Sequence, residues 1–285
     1  MKRSTILEKT SIDTLAIGCF DGIHMGHQQL IQRLGERGAL FVVDKDHANL
    51  TPGAKRSLYA GYPCMFYHFL KLKDLSGEEF ITLLLKEFPN LKKIVVGYDF
   101  YFGRNRLYSA IDLKSLFAGE VEIVEAFKYD GIAVHSSMIR EYLNKGEIQH
   151  ANRFLGREYS ITGNVIKGQG LGKTKIVPTL NLQVTDYLLP KNGVYVTRSK
   201  IGDRLYDSIS FIGTRFSTDN TFAIETHILG EILEEEYTRV EIFFVDFLRE
   251  NSRFDSLELL KEQILRDIKM AKERLNELVL QKVSI

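Results

Sequence analysis

Gly18-Cys-Phe-Asp-Gly-Ile-His-Met-Gly-His27 combines two histidines three residues apart with glycines, just after a short apolar run. Glycines let backbone amides approach a ligand, and a helix N-terminus attracts anions. His24 and His27, on one first turn, can both reach the same phosphate and stabilise negative charge growing on phosphorus. Gly18, Phe20, Asp21 and Gly22 complete this candidate anion turn. The plainer alternative is a tight turn with two solvated histidines. Two histidines framing a glycine at a strand-to-helix junction favour the chemical reading.

Ser136-Ser-Met-Ile-Arg140 is a second phosphate candidate. Serine hydroxyls cap a helix and an arginine can fork onto a phosphate from the same turn, so Ser136, Ser137 and Arg140 join the set. A Ser-Ser pair before a helix is an everyday cap, and its weight comes from the histidine turn. Val95-Val-Gly-Tyr-Asp-Phe-Tyr-Phe-Gly103 gathers aromatics around Asp99 at a strand end. Phe100 and Phe102 could flank a planar heterocycle or could simply fill a core.

Gly168-Gln-Gly-Leu-Gly-Lys-Thr174 superficially suggests a P-loop. Its spacing is one residue short, and Pro178 follows where a P-loop needs helix interior. What survives is a glycine flap between two strands, with Gly168, Gly170, Gly172 and Lys173 covering phosphates through backbone amides. Thr179 and Asn181 would then share one face of the next strand. Their oxygens suit Mg²⁺ bound to a nucleotide; a polar strand edge is the bland alternative. Glu225 stands among apolar strand neighbours in Phe222-Ala-Ile-Glu-Thr-His-Ile-Leu. A carboxylate there is either a working group or a solvent-facing position.

The elements that must carry these groups differ between the halves. In the first, apolar runs at Thr14–Gly18, Ala39–Val43, Leu91–Gly97 and Val121–Val124 alternate with helical periods. Ser76 and Glu79 make a capping-box signature ahead of Phe80, Leu83, Leu84 and Phe88. Such alternation predicts a parallel sheet covered on both faces, with ligands beyond the carboxyl ends of its strands. Near residue 157 the helical period gives way to short strands and glycine turns, predicting a small antiparallel barrel. A terminal helix follows, with Leu257, Leu260, Ile264, Ile268, Ala271 and Leu275 on one stripe. The expected fold is α/β: a Rossmann-like domain over 1–157 and a barrel with a helix over 158–285.

The 285 residues carry 38 basic and 37 acidic side chains, so there is no whole-chain basic field for nucleic acid. No apolar run reaches the roughly 18 residues that span a bilayer, and the N-terminus has no signal-peptide core. Cys19 and Cys64 make neither a disulfide framework nor a zinc quartet. A cytoplasmic protein without nucleic-acid or membrane partners is expected.

Taken in order, these motifs resemble the prokaryotic bifunctional riboflavin kinase/FMN adenylyltransferases, also called FAD synthetases. The matches run from Gly18-x-Phe-Asp-Gly-x-His-x-Gly-His27 through Gly97-x-Asp-Phe-x-Phe-Gly103 and Ser136-Ser-x-Ile-Arg140 to a linker-like Ala151–Arg157. They continue with Gly163-x-Val-x-x-Gly168, Pro178-Thr-x-Asn181, Asn192-Gly-Val-Tyr195, Ile212-Gly-Thr-Arg215, Glu225 and Leu248-Arg to Phe254. The resemblance implies an N-terminal nucleotidyltransferase domain that joins FMN to AMP, releasing pyrophosphate, and a barrel that makes FMN from riboflavin and ATP. The His24/His27 turn and Ser136–Arg140 would hold the ATP phosphates, with the Asp99 loop near flavin and adenine. In the barrel, Gly163, Val165, the flap, Thr179 and Asn181 would bind Mg-ATP. Glu225 would be the base, and Arg249 and Phe254 would face the flavin. Riboflavin, FMN, FAD and ATP are thus the implied small-molecule partners, and Mg²⁺ the implied cofactor.

Some positions depart from the family pattern. Val42–Asn49 stands where a Phe-x-Pro-x-Pro run is usual, Lys173 replaces an arginine, and Lys175-Ile-Val replaces Leu-Gly-Phe. Phe216-Ser replaces Pro-Thr, and Leu107-Tyr-Ser replaces a glycine-aspartate step. Two other readings follow: an FMN adenylyltransferase with a degenerate flavin-binding barrel, or a nucleotidyltransferase acting on another small phosphate ester.

Overall fold

The computed structural model describes residues 8–45, 48–167, 177–230 and 237–283. The chain divides into two compact units, Met1–Ser136 and Ser137–Ile285. In the first, β1 (Thr14–Gly18) leads through a turn to α1 (Met25–Ile31), then β2 (Gly38–Asp44), α2 (Lys55–Ala60) and β3 (Cys64–His68). After α3 (Gly77–Glu87) come β4 (Lys93–Gly97), the short pair β5 (Tyr101–Phe102) and β6 (Tyr108–Ser109), α4 (Ala110–Leu116) and β7 (Glu120–Val124). A second short pair, β8 (Lys128–Tyr129) and β9 (Ile132–Ala133), precedes α5 (Ser136–Lys145), which starts at the last residue of this unit.

The main sheet runs β3-β2-β1-β4-β7, all parallel. Its strands are apolar on both faces because both are covered: Leu15, Ile17 and Val96 enter one core cluster, Ala16 and Val95 the other. The Ser76–Glu79 capping box starts α3, whose Phe80, Ile81 and Leu84 are buried against the first of these clusters. β3 was not among the strands expected from sequence. It is an edge strand, half-buried except for exposed Phe66, and its short Cys64-Met-Phe-Tyr67 run does not by itself distinguish a strand from a helical turn. The chain builds one side of β1 through β2 and β3, then returns to the other side with β4 and β7. The carboxyl ends of β1 and β4 therefore meet at a topological switch point, where ligands bind in open α/β sheets.

In the second unit α6 (Ile148–Leu155) precedes β10 (Tyr159–Ile166), β11 (Leu180–Gln183), β12 (Gly193–Ile201), β13 (Arg204–Thr214), β14 (Phe222–Ile228) and β15 (Arg239–Glu250). These strands close a barrel in the order β10-β11-β14-β13-β12-β15. Residues 151–157, linker-like in sequence, are tied to it: Asn152 Nδ2 donates to Phe244 O at 2.8 Å and Asn152 Oδ1 accepts from Tyr159 N at 2.7 Å. The terminal helix α7 (Leu257–Val283) packs Ala271 and Leu275, with Ile268, against Val194, Val196, Ile209 and Val245. Leu260 and Ile264 of the same stripe are half-buried, while Leu257 at its start is 38% exposed.

Candidate active sites

The histidine turn is held in an uncommon backbone shape. Phe20 (φ 51°), Gly22 (φ 93°) and Ile23 (φ 40°) all have positive φ, and the two non-glycine residues are fully buried. Such conformations persist only where surrounding contacts impose them, and they cluster at functional sites. The contacts are visible here. The buried Asp21 carboxylate accepts from Leu50 N (3.1 Å) and Thr51 N (2.9 Å), and its carbonyl accepts from Ser136 Oγ at 2.7 Å. Asp21, taken from sequence as an ATP-binding residue, thus clamps the turn to the segment beyond β2. Ser136, taken from sequence as a phosphate contact, donates its hydroxyl proton to that turn.

His24 is the N-cap of α1, and its Nδ1 accepts from His27 N at 3.3 Å. A neutral His24 therefore carries its proton on Nε2. The two imidazoles stack with centroids 3.6 Å apart and an interplanar angle of 16°. Both open on a cavity of about 650 Å³ at the switch point. Gly18, Phe20, Asp99, Phe100, Phe102 and Ser136 line it as well, so the turn and the aromatic loop share one site. Within that loop the rings differ in role. Phe102 is 6% exposed and packs with Phe80 and Tyr108, while half-buried Phe100 stacks on it at 5.6 Å. Ser137 and Arg140 follow in α5 and fall in the second unit.

Sequence reasoning missed three cations on this cavity wall: Lys45, Lys73 and Arg106. The basic run Arg104-Asn-Arg106 beside the aromatic loop was the available signal. Arg106 lies over the Tyr101 ring at 5.1 Å, and both it (φ 58°) and Asn105 (φ 56°) have positive φ. Cys19, which is exposed, also lines the cavity. The cavity sets three cations, three carboxylates (Asp74, Asp99 and Glu125) and two imidazoles around a set of aromatic rings, a mixed polar and aromatic lining that suits a nucleotide.

In the second unit, Asn181 on β11 stands directly opposite Glu225 on β14, and Leu180 opposite Thr226. His227 Nδ1, at 2.7 Å from Pro178 O, ties the segment carrying Thr179 to the same strand. Thr179, Asn181 and Glu225 are therefore neighbours, all half-buried. Burial raises the Glu225 pKa, while the Arg215 guanidinium, whose Nη1 donates to Oε1 at 3.0 Å, pulls the other way. Arg215 is the second omission of sequence reasoning; only its position in Ile212-Gly-Thr-Arg215 hinted at it. Gly163 is needed for packing, since a Cβ there would lie 2.9 Å from Leu182 Cβ. Val165 N donates to Thr238 O at 2.9 Å. Gly168, Gly170, Gly172 and Lys173 lie outside the described residues.

Arg249 and Phe254 form a neighbouring group. Arg249 grips Asp267 of α7 through Nε (2.9 and 3.0 Å) and Nη2 (2.7 Å), and its guanidinium lies 5.8 Å from the Phe254 ring. Phe254 N donates to Ser217 Oγ at 2.8 Å, joining this segment to the loop that follows β13. Much of the Arg249 side chain is thus committed to holding α7.

The comparisons with known proteins agree with this layout. A Flavokinase (riboflavin kinase) family model matches residues 155–275, and an FAD synthetase family model matches 7–42 and 62–138. A bifunctional riboflavin kinase/FMN adenylyltransferase of Buchnera aphidicola subsp. Acyrthosiphon pisum is 31% identical, covering 95% of this chain and 96% of that one. One from Listeria monocytogenes is 30% identical over 89% of each. Among solved structures, a Streptococcus pneumoniae chain described as a macrolide-efflux protein superposes with a TM-score of 0.83 at 26% identity, covering 92% of this chain and 94% of that one. Among the described residues, no helix is long and apolar enough to cross a membrane.

Proposed function

This chain belongs to the bifunctional riboflavin kinase/FMN adenylyltransferase family, and from that premise we propose that it phosphorylates riboflavin to FMN and adenylylates FMN to FAD. The observation that carries the kinase half is the pairing of Asn181 with Glu225, which sets a carboxylate beside neutral nucleotide-side oxygens. The primary hydroxyl of riboflavin attacks the γ-phosphorus of ATP, the bond to the β–γ bridging oxygen breaks, and Glu225 accepts the hydroxyl proton. Thr179 and Asn181 fit Mg²⁺ in one specific sense: they are a hydroxyl and an amide oxygen on neighbouring positions, a sparse hard-oxygen set that nucleotide phosphates and water would complete. Bound there, the ion supplies charge neutralisation on the ATP phosphates. Arg249 and Phe254 border the flavin side.

For the adenylyltransferase half, FMN brings its own phosphate oxygen as nucleophile, so no strong base is required. That oxygen attacks the α-phosphorus, and pyrophosphate leaves. His24 and His27 hold the ATP phosphates and stabilise the charge that builds on the α-phosphoryl oxygens. Asp21 and Ser136 keep the turn rigid, Ser137 and Arg140 add phosphate contacts, and Phe100 and Asp99 border the flavin and adenine. The functional boundary is taken at 157/158. A cytoplasmic site of action, where ATP is abundant, accompanies this reading.

Incubation of the purified chain with riboflavin, ATP and Mg²⁺, followed by separation of the flavins, tests the proposal. FAD is the expected product. FAD from FMN but nothing from riboflavin would leave an adenylyltransferase with a degenerate barrel. No flavin product from either would overturn both activities and point to another phosphate ester.

A further inference from the structure

Arg215 sits at the first position after β13 and is fixed at both ends. Its backbone closes the turn before β14: Arg215 N donates to Thr221 O at 2.9 Å, and its carbonyl accepts from Thr218 N (3.1 Å) and Asn220 N (3.2 Å). Its guanidinium divides between two sets of partners. Nη2 donates to Asp219 Oδ2 (3.1 Å) and Thr221 Oγ1 (2.6 Å), while Nη1 reaches β14 and donates to Glu225 Oε1 at 3.0 Å. Asp219 is itself held, accepting from Thr221 N at 3.1 Å and Thr221 Oγ1 at 2.8 Å. The guanidinium is planar and its donors form a rigid fork. With Nη2 anchored twice, the direction of the Nη1 bond is set by the loop and not by Glu225.

We propose that Arg215 is a positioning residue of the kinase reaction, orienting the Glu225 carboxylate so that Oε1 is occupied and Oε2 is the oxygen presented to the riboflavin hydroxyl. The inference rests on the kinase reading above and deepens it. A residue that only closed the turn would need neither the Nη1 bond nor the cost of bringing a guanidinium, 19% exposed, against a carboxylate 21% exposed. Nε, in addition, is buried without a hydrogen-bond partner among the described residues. The turn therefore uses Nη2 alone and does not account for the whole side chain. The loop that fixes Arg215 is also the loop whose Ser217 Oγ accepts from Phe254 N. The orientation of the base and the segment that borders the flavin thus share one support.

The test uses the full chain and measures both half-reactions. Displacing a reacting group by about 1 Å can cost on the order of 100-fold. Arg215→Met is accordingly expected to lower kcat for riboflavin phosphorylation at least tenfold, with KM for riboflavin and for Mg-ATP unchanged within about twofold. FMN-to-FAD conversion should be unaffected. A double-mutant cycle with Glu225→Gln separates positioning from structure. If Arg215 acts through the carboxylate, Arg215→Met adds no further loss in the Glu225→Gln background. Multiplying losses in the cycle, or an unchanged kcat in Arg215→Met, would overturn the inference while leaving the kinase reading intact. Should Arg215→Met not fold, Thr221→Val keeps the Glu225 contact and loosens only one anchor of the fork. It should show a smaller kcat loss with the same KM pattern, and a wild-type kcat there would overturn the inference. A wild-type chain that makes no FMN from riboflavin overturns the kinase reading and this inference together.

Discussion

Asn181 and Glu225 face one another across β11 and β14, forty-four residues apart in sequence and adjacent in the barrel. Cross-strand partners stand on the same face of a sheet, with Cβ atoms roughly 5 Å apart. The proposed base and the proposed nucleotide-side ligand are therefore brought together by the strand pairing itself. Glu225→Gln keeps the shape and removes proton acceptance. It should lower riboflavin phosphorylation about 100-fold or more, the scale of general-base catalysis, and leave FMN-to-FAD conversion nearly untouched. Loss of both activities would instead assign Glu225 a structural role.

The same carboxylate predicts a pH profile. Burial raises its pKa above the ordinary value of 4.5, and Arg215 opposes part of that shift. The base works ionised, so activity is lost as pH falls through a raised pKa. The acid limb of kcat for the kinase half-reaction should lie above the ordinary glutamate range, and the limb should vanish from the residual activity of Glu225→Gln. A limb at or below the ordinary value would mean another group carries the proton.

What the sequence revealed and what it withheld divide along physical lines. The Ser76–Glu79 box, the His24–His27 spacing and the alternating faces of β1 are local patterns, and each is legible because its partners lie within a few residues. The edge strand β3 was hidden because its apolar run, Cys64-Met-Phe-Tyr67, is too short for periodicity to tell a strand from a helical segment. Asp21 was read as a ligand contact because its partners, Leu50 N and Thr51 N, are backbone groups about thirty residues on that no side-chain motif announces. The ion pairs of Arg215 with Glu225 and Arg249 with Asp267 depend on barrel closure and helix docking. Charge content alone does not report such pairings.

His27→Ala removes a ring stacked on His24 and packed beside Phe20. Loss of one preorganised donor to a developing oxyanion costs on the order of 100- to 1000-fold. FMN-to-FAD conversion should fall by that factor, while riboflavin phosphorylation, carried out by the barrel, stays at the wild-type rate. An unchanged FMN-to-FAD rate would refute the role given to His27.

Helix α6 bears on how the kinase half can be isolated. Ile148, Ala151, Phe154 and Leu155 are buried, and Gln149 Nε2 donates to Asp246 Oδ2 of β15 at 2.8 Å. Each large apolar side chain returned to water costs on the order of 1.5–3 kcal/mol. A fragment of residues 137–285 should therefore fold and phosphorylate riboflavin, whereas 158–285 should melt at markedly lower temperature. Equal melting temperatures would show that α6 adds nothing to the barrel.

The last prediction concerns Arg249 and Asp267. Asp267 is only 2% exposed and is held by Arg249 and by Gln263 Nε2 at 2.8 Å, so its charge is compensated almost wholly from within the fold. Arg249 is 23% exposed and retains access to water. The two halves of the pair are therefore not equivalent. Removing the arginine strands a buried carboxylate, which typically costs about 3–5 kcal/mol. Asp267→Asn removes the charge from the buried side and leaves an amide that still bonds its neighbours, while Arg249 can turn toward solvent. Arg249→Met should consequently lower the urea midpoint of the second unit substantially more than Asp267→Asn. Because the pair fixes the strand end that leads to Phe254, the folded fraction of both variants should also show a raised KM for riboflavin with KM for Mg-ATP little changed. Asp267→Asn proving as destabilising as Arg249→Met would mean that packing of α7, and not compensation of the buried charge, is what this contact provides.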